Sequence, residues 1–336
     1  MLGAAMSASL TLVTCTRNPN PETFRRVLDS VAALQWPTGH TVEYLVIDST
    51  SEPPVASQDG VRAFLARVPW ARVIRADHPG LAAARRTALE ASTGAILVWF
   101  DDDNVPAPDY LTHVVALAEA RPSVTVWGAG RIDVEFTTPV PAWVERELRP
   151  TFQERHHLVD DFGHAASWAS FFPVGSGLVT RRDAVARWAT AVREGRYSLT
   201  GRSGGKLSAG DDAQIILGAV AAGEMVGVVA AQQLTHLIPP SRCTMAYLKR
   251  LEFGLSGSIR VARAECFPGD PAPRSPDGLG PVSMLRATLA QWRRNGWRAG
   301  RFEAARQLGA LSGALQTTNR PEPWWLRAAI AVQRLR

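Results

Sequence analysis

Three consecutive aspartates, Asp101, Asp102 and Asp103, followed by Asn104, stand directly after the apolar run AILVWF. Like charges in a row repel unless water or a counter-ion shares them. Asp101 and Asp103, one residue apart, can point the same way from an extended segment and share a hard divalent cation, which in turn holds phosphate oxygens. The plainer alternative is a solvated acidic turn or a helix cap ahead of PAPDYL. The position at the end of a buried strand favours the metal. A second carboxylate, Asp48, closes VEYLVID. It can accept hydrogen bonds from a base or ribose, or it can make an Asx turn into STSEPP. A third pair, Asp211 and Asp212 in SAGDDAQIILGAVAAG, precedes an apolar helical run. Acids there cap a helix and suit its dipole, or one of them serves as a general base for a hydroxyl nucleophile.

Two further groups lie late in the chain. His236 and Arg242 flank LIPPS. A lone histidine is commonly structural, but this one can also complete a metal or diphosphate site, and the arginine can offset pyrophosphate charge. His156, His157, Asp160, Asp161 and His164 have metal-binding side chains, yet their spacing matches no zinc pattern, so a solvated loop is the expectation.

Elements that would position these groups are legible in the first third. SLTLVTCT, VEYLVID, ARVIRA and AILVWF read as strands. They alternate with helical patterns in PETFRRVLDSVAAL, GVRAFLARV and GLAAARRTALEAS. Such alternation predicts an α/β fold with a mostly parallel sheet and helices on both faces. Ligands of open α/β sheets sit beyond the carboxyl ends of the strands, which is where Asp48 and the aspartate triplet fall. DYLTHVVALAEA predicts another helix, and residues 131 to 170, rich in Pro, Trp, His and charge, read as long loops. The tail from 285 onward predicts basic helices split at Gly296. They either pack on the catalytic body or offer Arg and Trp to an anionic membrane surface.

Composition removes several classes. At 336 residues with 46% apolar and 20% charged content, the chain can bury a large core. Cys15, Cys243 and Cys266 form no CxxC pair, which argues against a disulfide framework and for a reducing cytoplasm. The first twenty residues lack a basic leading region and read as a strand rather than a signal peptide. No uninterrupted apolar run is long enough for a membrane span. The net charge of +6 is concentrated in residues 286 to 336, which hold ten arginines and two glutamates. A nearly neutral body is a poor nucleic-acid binder. No GxGxxG or GxxxxGK[ST] loop follows the first strand, so dehydrogenase and P-loop readings have no fingerprint.

Taken in order, LVTCTRNP, VIDSTS, HPGLAAARRTALEASTGAILVWFDDDN, FFPVGSGLVTRRDAV and LTGRSGGKLSAGDDAQI resemble the family-2 glycosyltransferases of the GT-A fold over about residues 8 to 260. The resemblance implies that Thr14, Thr16, Arg17 and Asp48 bind the nucleotide. Gly80 and Arg85 would lie near the diphosphate or ribose. Asp101 and Asp103 would bracket Mg²⁺ or Mn²⁺, with His236 completing the metal site, and Asp102 and Arg242 would join the donor site. The family usually carries Glu-Asp at its third motif. Here it is Asp211-Asp212, so Asp212 aligns with the usual base.

The expectation is therefore an inverting, metal-dependent glycosyltransferase. Its donor would be a nucleotide-diphosphate sugar, by default a UDP-sugar, and its acceptor a saccharide, a lipid-linked saccharide or a small molecule. A nucleotide-sugar half would span 8–130, an acceptor half 131–262 and a helical extension 263–336. A nucleotidyltransferase and a non-catalytic nucleotide-sugar or lipid-surface binding protein are the competing classes.

Overall fold

The computed structural model describes residues 9–199, 201, 210–269 and 280–336. The first eight residues and most of the segment ahead of Asp211 lie outside the described residues. β1 (Leu10–Thr16), α1 (Pro21–Ala32), β2 (Val42–Asp48), α2 (Asp59–Arg67), β3 (Ala71–Arg75), α3 (Leu81–Ala91) and β4 (Ile96–Asp101) follow the alternation expected from the sequence. The chain continues through β5 (Asn104–Pro106), α4 (Tyr110–Ala120), β6 (Val124–Phe136), α5 (Ala142–Glu147), β7 (Arg155–His156), β8 (Asp161–Gly163), β9 (Leu178–Arg181) and α6 (Arg182–Arg193). It ends with α7 (Asp211–Ala221), β10 (Met225–Ile238), α8 (Met245–Cys266), α9 (Pro281–Thr317) and α10 (Trp324–Gln333).

The main sheet runs in the order β3-β2-β1-β4-β9-β6-β10-β5. β3, β2, β1 and β4 are mutually parallel, with Cys15 opposite Asp101 and Thr16 opposite Asp48 in register. β9 then pairs antiparallel with both β4 and β6, which makes the sheet mixed beyond its first four strands. Two apolar layers cover its faces. Ile96, Val98 and Phe100 of β4 enter one core with Leu10, Leu12 and helix α1. Leu97 and Trp99 enter the other with Val13 and helices α3, α6 and α7. Burial on both faces is why this strand reads as an unbroken apolar run.

Helix boundaries have local causes. Asn20 caps α1, its side-chain oxygen accepting the backbone N–H groups of Glu22 and Thr23 at 3.0 Å each, and Pro21 supplies a preset φ at the first helical position. Phe24, Val27, Leu28 and Val31 then fall on one buried stripe.

The reading of residues 131 to 170 as long loops is corrected. β6 continues through RIDVEF to Phe136 and pairs in parallel with β10, while β7 and β8 add short strands within the same stretch. Ile132 and Val134 point inward while Arg131 and Glu135 face solvent, so a period of two is present but spelled largely in charges. Arg26 of α1 braces Glu135 at 2.6 Å, and His156 meets Asp133 at 2.9 Å. Residue 130, where the sequence placed a boundary between two halves, lies inside β6, so the residues on either side of it share one strand. As expected, α9 is interrupted at Gly296, whose φ is 85°. Among the described residues no helix is long and apolar enough to cross a membrane.

Candidate active site

A cleft of about 740 Å³ opens at the carboxyl ends of β1 and β4, on the face of the sheet that carries α3 and α7. Its walls include Thr16, Arg17, Gly80, Arg85, Asp101, Asp102, Asp103, Asp211, Asp212, His236 and Arg242. Eleven of the thirteen residues expected from the sequence therefore meet in one place, although they come from segments spread over more than two hundred positions.

The aspartate triplet divides its charge among different partners. Asp102 accepts a hydrogen bond from the Thr16 hydroxyl. Burial, with the Asp103 charge beside it, pushes the Asp102 carboxyl up to about 7 despite that bond and the nearby Arg242. Asp103 is buried at the cleft floor and meets Arg242 at 2.7 Å. Its other oxygen accepts from the Asn104 amide at 3.0 Å and faces His236 Nε2 at 3.5 Å. The Arg242 guanidinium loses solvation by burial, but Asp103, Tyr247 and the other aspartates raise its pKa on balance. The counter-ion foreseen for the triplet is thus partly supplied by the chain itself.

The residues fit a divalent cation. His236 donates its Nδ1–H to the Phe152 carbonyl at 2.8 Å, which leaves Nε2 aimed at the Asp103 carboxylate. A neutral ring so held presents one acceptor to another, an arrangement satisfied by a proton or a metal ion between them. Among the described residues no three His, Cys, Asp or Glu side chains converge as a closed metal cage. An ion held by one or two carboxylates and substrate phosphates needs none.

The second acidic pair is split by its surroundings. Asp211, at the first position of α7, is buried and faces Arg85 of α3 at 3.0 Å. That guanidinium, buried too, lies over the Trp99 ring at 5.6 Å. The contact is ionic without an aligned hydrogen bond between the facing atoms. Burial opposes the Arg85 charge, yet Asp211 and Asp212 raise its pKa overall. Asp212 is partly exposed to the cleft, and one oxygen accepts the Ala213 N–H at 2.8 Å. Its other oxygen lies against Gly175, where a Cβ would stand only 2.9 Å away.

Thr14 and Asp48 are placed elsewhere. Thr14 is fully buried on the opposite face of β1, where its hydroxyl accepts from Tyr44 at 2.9 Å. The reason is strand geometry: Cys15, the next residue, takes the cleft-facing position. Asp48 is also buried and outside the cleft wall. Its carboxylate accepts the N–H groups of Ser51 at 2.7 Å and Val55 at 3.0 Å and pairs with Arg75 at 3.4 Å, the turn-forming alternative. Its neighbour Ser49 lines the cleft and accepts the Gly80 N–H at 3.0 Å. Gly80 adopts φ 117°, a conformation that favours glycine.

The residues of the histidine-rich stretch go to different partners. His156 goes to Asp133, His164 donates to the Val220 carbonyl at 3.0 Å, and Asp160 accepts from the Ala230 N–H at 2.9 Å, while His157 reaches the cleft. Sequence reasoning missed one wall altogether. Tyr247, Leu251, Leu255 and Ile259 of α8 recur every fourth residue along the cleft, and Trp168 also lines it. The four-residue spacing was a readable signal.

Residues 11–186, more than half of the chain, match the model of glycosyl transferase family 2. The chain is 24% identical over 250 residues to the succinoglycan biosynthesis protein ExoM of Rhizobium meliloti, covering 69% of this chain and 70% of that one. It also resembles a mannosyltransferase from Pyrobaculum calidifontis solved in complex with GDP-Man and Mn²⁺. That likeness has a TM-score of 0.53 and 21% identity, spans 98% of this chain and 80% of the other, and is one of fold.

Proposed function

This chain belongs to glycosyl transferase family 2, and from that premise we propose an inverting, metal-dependent transfer of a sugar from a nucleotide-diphosphate donor to a hydroxyl acceptor. The reading rests on one observation above all. Of the two adjacent carboxylates on α7, Asp211 is engaged by Arg85, and Asp212 opens to the cleft that the aspartate triplet also lines. Asp212 takes the proton from the acceptor hydroxyl as that oxygen bonds to the anomeric carbon. The bond from that carbon to the diphosphate breaks on the opposite side, and a nucleoside diphosphate leaves. One displacement inverts the configuration.

Asp101, Asp103 and His236 are the groups that would hold Mg²⁺ or Mn²⁺, which when bound neutralises charge on the diphosphate. Arg242, already beside Asp103, adds fixed positive charge there. Thr16 positions the Asp102 carboxylate, Arg17 stands at the exposed rim, and Ser49 and Gly80 close the nucleotide side. For the acceptor, the apolar stripe of α8 opposite a polar donor pocket suits a saccharide carried on a lipid better than a free sugar.

Thermal shift against UDP, GDP, dTDP and CDP, each with and without Mn²⁺, tests the donor assignment. Stabilisation by UDP that requires the metal is the expected result. A shift with GDP alone would move the donor to GDP-sugars, the class to which the GDP-Man bound by the mannosyltransferase of similar fold belongs. No shift with any diphosphate at millimolar concentration would remove the nucleotide site from this cleft.

A further inference from the structure

Helix α9 folds back on itself at Gly296. Along a continuous helix, eight residues span about 12 Å. A Cβ on Gly300 would nevertheless stand 3.0 Å from that of Trp292 and 3.3 Å from the Thr288 carbonyl. The segments on either side of Gly296 therefore form a helical hairpin. Its inner arm is buried through Ala305, Leu308, Leu311 and Leu315, in one apolar cluster with Phe253 of α8. The outer arm contributes Met284 to that cluster, leaves Val282, Leu285 and Trp292 exposed, and keeps Leu289 half-buried.

Val282 and Leu285 are 62% and 59% exposed, and Trp292 and Trp297 are 56% and 50% exposed. Val282, Leu285, Leu289 and Trp292 recur at three- and four-residue steps, so they share one face of the outer arm. Arg286 and Arg293 border the same face, and Arg294 lies beside them. Across residues 281–302 there are five arginines and no acidic residue. At the bend, Arg298 and Arg301 each lie 5.4 Å from the centre of the Trp297 ring, and Arg298 also stacks on Trp143 of α5 at 4.7 Å.

We propose that the tip and outer arm of this hairpin dock on the surface of an anionic lipid bilayer, with Trp292 and Trp297 at the headgroup level and the arginines on lipid phosphates. Charge and chemistry select that partner. A second copy of this chain would bring arginine against arginine, whereas an anionic bilayer offers an apolar layer for the tryptophans and a negative layer for the guanidiniums. Contact with Trp143 of α5 ties the hairpin to the acceptor-side half of the sheet, the side from which a lipid-carried acceptor would arrive.

The full chain would be co-sedimented with vesicles of phosphatidylcholine alone and of phosphatidylcholine with phosphatidylglycerol, at low and high salt. Binding confined to the anionic vesicles and weakened by salt is expected. An Arg293→Glu/Arg294→Glu variant should partition at least roughly tenfold less, with little salt dependence left to lose, and Trp292→Ala/Trp297→Ala should weaken binding comparably while what remains stays salt-sensitive. Because these side chains are exposed, far-UV circular dichroism should stay unchanged. Brominated lipid should quench tryptophan emission in the native chain more than in a Trp292→Phe/Trp297→Phe variant. Absence of binding at low salt, or equal partition of the charge-reversed variant, would overturn the proposal. So would light scattering that shows a dimer split by these substitutions, since the surface would then be an interface between copies.

Discussion

Asp211 and Asp212 carry the same side chain one position apart, and their surroundings give them different work. The Asp211 carboxylate faces a buried guanidinium, whereas Asp212 is partly exposed on the cleft wall, with one oxygen lying where a side chain at Gly175 would stand. Asp212→Asn should therefore lower kcat by about 10²–10⁴ while leaving the nucleotide-induced rise in Tm intact. Gly175→Ala tests the same point without touching the carboxylate: its methyl meets the movable end of Asp212, so kcat should fall while Tm stays near the native value. A kcat equal to that of the native chain in both variants would take the base role from Asp212. Asp102 makes a separate prediction through pH. Its carboxyl is raised to about 7 in the folded chain, far above the unfolded carboxylate, so between about 4 and 7 the native state binds the extra proton. Stability of the metal-free protein should fall as pH rises through that window, and Tm measured against pH should flatten for Asp102→Asn. At this scale residue types and their order were legible, and facing was not. Thr14 and Cys15 differ only by the period-two parity of β1, and nothing in LVTCT says which face lies under α3 and α7.

Elements carry these side chains to one place, and the Arg85–Asp211 pair joins two of them. It links the buried face of α3 to the start of α7, with Trp99 of β4 against the guanidinium. Two buried charges are costly to separate from each other but not to replace together. Arg85→Ala should cost about 3–5 kcal/mol in urea unfolding, because Asp211 is left uncompensated, whereas Arg85→Met/Asp211→Leu should recover most of that loss. Equal destabilisation in the two variants would show that packing around Trp99, not charge pairing, holds α3 to α7. The pair also explains a limit of helix patterning. In LAAARRTALEA an arginine reads as the solvent face, yet Arg85 belongs to the buried one because its acid partner arrives 126 positions later. Strands of the first third were legible for the opposite reason: their burial is written in apolar residues alone. β6 was lost beyond residue 130 because its outward positions carry Arg131, Asp133 and Glu135, which resemble loop composition until the neighbouring strand is known.

Across the whole molecule, the C-terminal helices and the sheet meet at α8, which serves both. One face of α8 lines the cleft through Tyr247, Leu251, Leu255 and Ile259, and another crosses α9 at very short range. A Cβ on Gly309 would run into the Phe253 carbonyl, and one on Gly313 would stand 2.5 Å from the Gly257 carbonyl. Backbone, unlike a side-chain tip, cannot turn aside. Gly309→Ala must push the two helices apart, with an overpacking cost of about 1–3 kcal/mol. The walls proposed for the donor, on β1, β4 and α3, are not among the elements that meet at that crossing, while the α8 stripe is. The variant should therefore keep its metal-dependent nucleotide shift and show a severalfold higher KM for the acceptor, measured at saturating donor. An acceptor KM equal to that of the native chain, despite a lowered Tm, would reduce α9 to a stabilising clamp. A raised KM would mean that the same helical unit that carries the exposed tryptophans and arginines also sets the shape of the acceptor's side of the cleft.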